Sequence, residues 1–130
     1  MAHDPSSIRT AASKVRFLGS AHSGTRETWH MKLTSVALVP LTIAFVFLLL
    51  SLAGKDYMSV RAELGRPFPA ILLLLFIGAS IVHMKIGMQS IIVDYVHETH
   101  LKEGALIANL FFTAAIGLAC VFAVLKLSLA

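Results

Sequence analysis

Three apolar runs, each long enough to cross a bilayer, constrain this chain more than any other feature. They fall at about 33–52, 68–96 and 105–125, with short polar segments between them. Twenty helical residues rise about 30 Å, the thickness of a hydrocarbon core. No water there can satisfy backbone N–H and C=O groups, so each continuous run must close its own hydrogen bonds as a helix. The expected fold class is an all-α membrane protein with three transmembrane helices. Residues 33–130 form the three-helix anchor and residues 1–32 an N-terminal cytoplasmic arm.

Composition closes off most other classes. The chain is 57% hydrophobic and 14% charged, against about 25% charged for a soluble domain. A bundle of this size leaves almost no room for an independent soluble domain, so chemistry is expected in the bundle or in partner subunits. The net charge of +4 does not point to nucleic acid. Five basic residues, Arg9, Lys14, Arg16, Arg26 and Lys32, precede the first run, and a basic flank beside a span is first a topology signal. With Lys102, that side carries six Lys and Arg against four on the other (Lys55, Arg61, Arg66, Lys126). The bias favours a cytoplasmic N-terminus and, with three spans, a C-terminus on the opposite side; the expected location is a bacterial inner membrane with the C-terminus in the periplasm. The Arg- and Ser-rich arm also resembles a mitochondrial transit peptide, which makes the mitochondrial inner membrane the alternative. No secretory signal peptide is evident. The single cysteine, Cys120, lies in an apolar run, allows no intrachain disulfide and reads as a packing residue.

The second run holds the most informative residue. His83 is ionisable and metal-ligating, and such a side chain at membrane depth is costly enough to be a functional candidate. On a helical wheel Gly87, Ser90, Asp94 and His97 all fall within about 40° of His83. Asp94 lies about 16 Å further along the same face. The spacing is that of a heptad seam, which usually faces another helix, and Gly87 and Ser90 are small enough for a helix or a flat cofactor to approach. Spacing alone leaves two readings of His83: a ligand for haem or another metal, or a hydrogen bond to a neighbouring helix. For Asp94 and Tyr95 the alternatives are anchoring at the headgroups or a quinone site, where a tyrosine hydroxyl donates to a quinone carbonyl. Lys85, about 200° from His83, calls for a partner on another helix. His97 and His100 flank Glu98 in the polar link and read as solvated or subunit-contacting. Pro67 and Pro69 suit a helix start, and Pro40 is a possible kink in the first span.

The stretch His83-Met-Lys-Ile-Gly87-Met-Gln-Ser-Ile-Ile-Val-Asp94-Tyr95-Val-His97 resembles the signature of the hydrophobic membrane anchor family of succinate dehydrogenase (complex II), in its alphaproteobacterial and mitochondrial branch. Trp29-His30-Met-Lys32-Leu-Thr34-Ser-Val-Ala at the start of the first span is a second match. The resemblance implies a heteromeric helical bundle. It implies that His83 is an axial ligand of haem b, with the other histidine supplied by a cytochrome b556 membrane subunit. Tyr95 matches the tyrosine that hydrogen-bonds ubiquinone, and Asp94 its acidic neighbour. Lys32 matches a position often held by Arg near the haem propionates and quinone pocket; Lys keeps the charge but loses the bidentate fork. The implied partners are a flavoprotein that oxidises succinate, an iron–sulfur subunit, the lipid bilayer and quinone. This chain has one cysteine, against the four thiolates a cluster usually needs. The competing expectation is a cofactor-free structural anchor or assembly subunit of another membrane complex.

Overall fold

The computed structural model describes residues 23–129, as four helices with no strand among them. Helix α1 spans Ser23–Leu52, α2 Tyr57–Leu64, α3 Pro67–Tyr95 and α4 Thr99–Leu129. The long helices α1, α3 and α4 each carry enough apolar length to cross a membrane. The three expected spans are therefore present; α1 and α4 run further than hydropathy indicates, and α3 matches its run to within one residue at each end. Most of the N-terminal arm, with the transit-like segment, lies outside the described residues. Its last part, from Ser23, is helical and continuous with the first span.

Local chemistry explains the element ends. Helix α3 begins with Pro67, whose missing N–H costs nothing in the first turn. Pro40 sits inside α1, which remains one helix through it. Gly54, at φ 78°, makes the turn after α1 in a backbone region that side chains other than glycine's resist. Helix α2 lies in the segment between the first two spans, where hydropathy and charge indicate only a loop. Asp56 caps it, accepting from the backbone amides of Met58 at 3.1 Å and Ser59 at 3.3 Å. Glu98 plays the same part for α4, accepting from the amides of His100 and Leu101.

Helix α3 is the middle of the bundle, with α1 and α4 both packed on it. Such a layer of helices has little interior. Among the described residues the buried hydrophobic side chains are Ala70, Ile86, Ile92 and Val124, and the buried polar ones are Asn109 and Thr113. Against α1, Phe76 of α3 stacks on Phe45 with ring centroids 4.6 Å apart. Against α4, the Asn109 side-chain amide donates to the Lys85 carbonyl at 3.0 Å. Thr113 answers its own burial within α4, donating to the Asn109 carbonyl at 2.8 Å. The glycine that lets α4 approach α3 is Gly117, where an added Cβ would lie 3.5 Å from Ile81. Gly87, the small residue of the His83 seam, would meet nothing within 4 Å. The seam is thus not the contact between α3 and α4.

A candidate haem and quinone site at one end of the bundle

The antiparallel run of α1 against α3 decides what His83 meets. Phe45 pairs with Phe76, and moving up α1 and down α3 brings Thr34 to His83. The Thr34 hydroxyl lies 3.1 Å from His83 Nδ1. One to two turns further, the Gln89 side-chain amide donates to the Glu27 carboxylate at 2.9 Å. His83 is half-buried, and the other ring nitrogen, Nε2, has no hydrogen-bond partner among the described residues. The ring borders a groove of 440 Å³ whose other walls are Ser35, Leu38, Val39, Thr42 and Ile43 of α1. The walls are mostly apolar, and two of the three hydroxyl-bearing residues nearby, Thr34 and Ser35, donate back to carbonyls of their own helix.

The two readings of His83 are therefore compatible. Imidazole has two nitrogens; one meets a neighbouring helix and the other remains free to ligate. Among the described residues no group of three or more His, Cys, Asp or Glu side chains converges as a metal site. What this chain offers is a single imidazole nitrogen at a groove.

Lys32 is exposed and borders a second hollow with Thr25, Thr28 and Trp29. On α1 it stands one turn before Ser35, on the stripe that continues through Val39 and Ile43. The cation thus sits at the rim of the flank that His83 borders. Asp94 and Tyr95 lie at the C-terminal end of α3, and Tyr95 is 78% exposed. They are about 16 and 18 Å from His83 along the helix axis. Both side chains are exposed, so among the described residues they do not form a closed pocket with His83.

The backbone around Asp94 and Tyr95 is held by cations and imidazole. The Lys102 ammonium donates to the Val93 carbonyl at 3.2 Å, and His97 Nδ1 donates to the Tyr95 carbonyl at 3.1 Å. These are helix C-terminal carbonyls without in-helix partners, where positive and donor groups are favourable. His97 thus has a capping contact that its place in the sequence does not announce. Lys85 meets α4 through its backbone carbonyl, and its ammonium contributes no bond to that contact. Thr34 and Lys102 are the contributors that sequence reasoning passes over. Thr34 lies within the second quoted motif, but only the register of α1 on α3 reveals what it touches.

Comparison with known proteins identifies the family of the chain. Residues 6–125 match the family model for the succinate dehydrogenase/fumarate reductase transmembrane subunit. The chain is 35% identical over 112 residues to the succinate dehydrogenase hydrophobic membrane anchor subunit of Paracoccus denitrificans, covering 86% of each chain. It is 29% identical over 106 residues to the subunit of the same name from Rickettsia bellii, covering 82% of this chain and 85% of that one. No solved structure gives a significant match. With its three apolar helices and matched length, the chain belongs to the succinate dehydrogenase/fumarate reductase transmembrane subunit family, as a membrane anchor of an oxidoreductase complex and not its catalytic subunit.

Proposed function

We propose that this anchor supplies one axial imidazole, from His83, to a haem b shared with a second membrane subunit, and one wall of a ubiquinone site through Tyr95 and Asp94. The observation that carries the reading is the free Nε2 of a half-buried histidine on an apolar groove at membrane depth. A neutral imidazole nitrogen is a common axial donor to haem iron, and the groove's apolar walls suit a flat macrocycle. When bound, the haem supplies one-electron redox chemistry at its iron. Lys32, at the rim of the same flank, offers a positive charge to an anionic group such as a propionate.

Tyr95 and Asp94 work at the C-terminal end of the same helix, about 18 and 16 Å beyond His83 along its axis. The Tyr95 hydroxyl donates to a quinone carbonyl, and Asp94 beside it tunes proton delivery as the quinone is reduced. Their exposure supports a site whose remaining walls come from the partner membrane subunit. The electrons come from a flavoprotein that oxidises succinate, through an iron–sulfur subunit, and this chain holds both at the membrane. The basic arm argues for an N-terminus in the cytoplasm of a bacterial cell and a C-terminus in the periplasm.

The test is a complex purified through this chain, with its subunit masses and its reduced-minus-oxidised spectrum. A flavoprotein, an iron–sulfur protein and a b-type haem are expected. His83→Ala should convert or remove the six-coordinate haem signal. Tyr95→Phe should lower quinone reduction and leave succinate oxidation by an artificial acceptor intact. Equal loss of both activities would remove Tyr95 from the quinone site, and a haem-free wild-type complex would support a purely structural anchor instead.

A further inference from the structure

We propose that Thr34 is a positioning residue for His83. It holds the imidazole as the Nδ1–H tautomer and fixes the ring's rotation, so that Nε2 is the nitrogen presented to iron. This rests on the reading of His83 as a haem ligand and adds to it a residue on a different helix.

The argument is a count of protons. The Thr34 hydroxyl has one proton and three neighbours: the His30 carbonyl at 2.8 Å, the Met31 carbonyl at 3.0 Å and His83 Nδ1 at 3.1 Å. Both carbonyls can only accept, and they are the closer two. The proton therefore goes to them, which leaves the hydroxyl's lone pairs for the imidazole. A bond at Nδ1 then requires that Nδ1 carry the hydrogen. The neutral ring has only one N–H, so Nε2 keeps its lone pair, and Nε2 has no other partner among the described residues. The hydroxyl itself has little freedom to reverse, because Thr34 is half-buried and back-bonded to its own helix.

The same contact sets ligand strength. A hydrogen bond accepted from the far nitrogen of a ligating histidine orients the ring and raises its basicity. It also ties the ring on α3 to α1, so the ligand's position depends on how these two helices pack. A more basic ligand favours ferric over ferrous iron. Removing the hydroxyl should therefore weaken haem binding and raise the haem's reduction potential.

The experiment compares Thr34→Val, Thr34→Ser and His83→Ala in the whole membrane complex. Val keeps the branched shape and removes the hydroxyl; Ser keeps the hydroxyl and removes a methyl. The readouts are haem retained per complex on detergent dilution, the haem midpoint potential and the ferric low-spin resonance. Thr34→Val is expected to weaken haem retention about 10–100-fold. A tenfold loss confined to the ferric state would raise the potential by about 59 mV. Thr34→Ser should behave as wild type, and that rescue separates the hydroxyl's role from packing. Wild-type retention, potential and resonance in Thr34→Val overturn the proposal while leaving His83 as ligand. Equal losses in the Val and Ser variants also overturn it, because they assign the effect to side-chain shape. If Thr34→Val fails to assemble, Thr34→Ser decides alone: wild-type haem properties support the hydroxyl, and a shifted potential overturns it. An unchanged low-spin signal in His83→Ala overturns both the ligand assignment and the proposal built on it.

Discussion

Replacing Asn109 tests how the middle helix holds α4. Its side-chain amide donates to the Lys85 carbonyl at 3.0 Å, and the residue is 9% exposed. In an α-helix that carbonyl already accepts from the amide four residues on. Deleting the Asn side chain therefore leaves no orphaned carbonyl, and the penalty of about 1–3 kcal/mol for a buried unsatisfied group does not apply. What is lost is one interhelical hydrogen bond, about 0.6 kcal/mol on average within membranes and up to about 1.7. Asn109→Leu keeps the number and branching of the side-chain heavy atoms and should cost about that much. Asn109→Ala also leaves a gap between the helices and should cost more, on the order of 1–2 kcal/mol. Pulse proteolysis across a titration of denaturing detergent, with the chain in mixed micelles, measures both. Leu costing as much as Ala, with both above about 3 kcal/mol, would mean that the Lys85 carbonyl has no other partner. A cost near zero for both would mean that the bond holds nothing together.

Two glycines should behave oppositely under the same measurement. A Cβ on Gly65 would lie 3.1 Å from the Leu127 carbonyl oxygen and 3.3 Å from that of Arg61, both backbone atoms. Gly65→Ala should push the end of α4 away, at about 1–3 kcal/mol. Gly117→Ala places its methyl at ordinary contact distance from Ile81 and gains helix propensity, so it should be neutral or stabilising by up to about 1 kcal/mol. A destabilising Gly117→Ala would refute the packing described between α3 and α4. The cap of α2 should respond to acid. The Ser59 hydroxyl and backbone amides hold the Asp56 carboxyl below its ordinary value of 3.8. A lowered value means that the cap's contribution is complete above pH 3.8 and fades as pH falls through the lower folded value. The amide resonances of Met58 and Ser59 should report that loss, and Asp56→Asn should abolish the titration. A midpoint above 3.8 would contradict the sign.

Hydropathy made the three crossings legible because water cannot enter a hydrocarbon core. It could not mark where helices end, because polar turns continue α1 back to Ser23 and α4 out to Leu129 without any change in backbone bonding. The loop between the first two spans had a readable signal that charge alone obscures. Asp56 precedes Tyr57–Leu64 and Gly65 follows it, the ordinary punctuation of a short helix. His83 was legible by its cost in an apolar run. Its partner was not, since a wheel drawn on one helix says nothing about the register of the next. The glycines show the same limit. Gly87 stands out because it neighbours His83, yet the glycines at the packing contacts are Gly65, against which the end of α4 packs, and Gly117, which packs α4 on α3.

The middle position of α3 also bears on how such a chain is made. Each long helix packs on the one synthesised next to it: α1 on α3, then α3 on α4. Among the described residues only the contact of α2 and Gly65 with the end of α4 waits for a distant partner in the sequence, so loop closure adds little to the barrier for the three long helices. As the second span leaves the translocation machinery it can settle on the first, bringing Thr34 and His83 together before the third has been threaded. The Thr34–His83 contact would then exist while the last span is still being synthesised, before the bundle is complete.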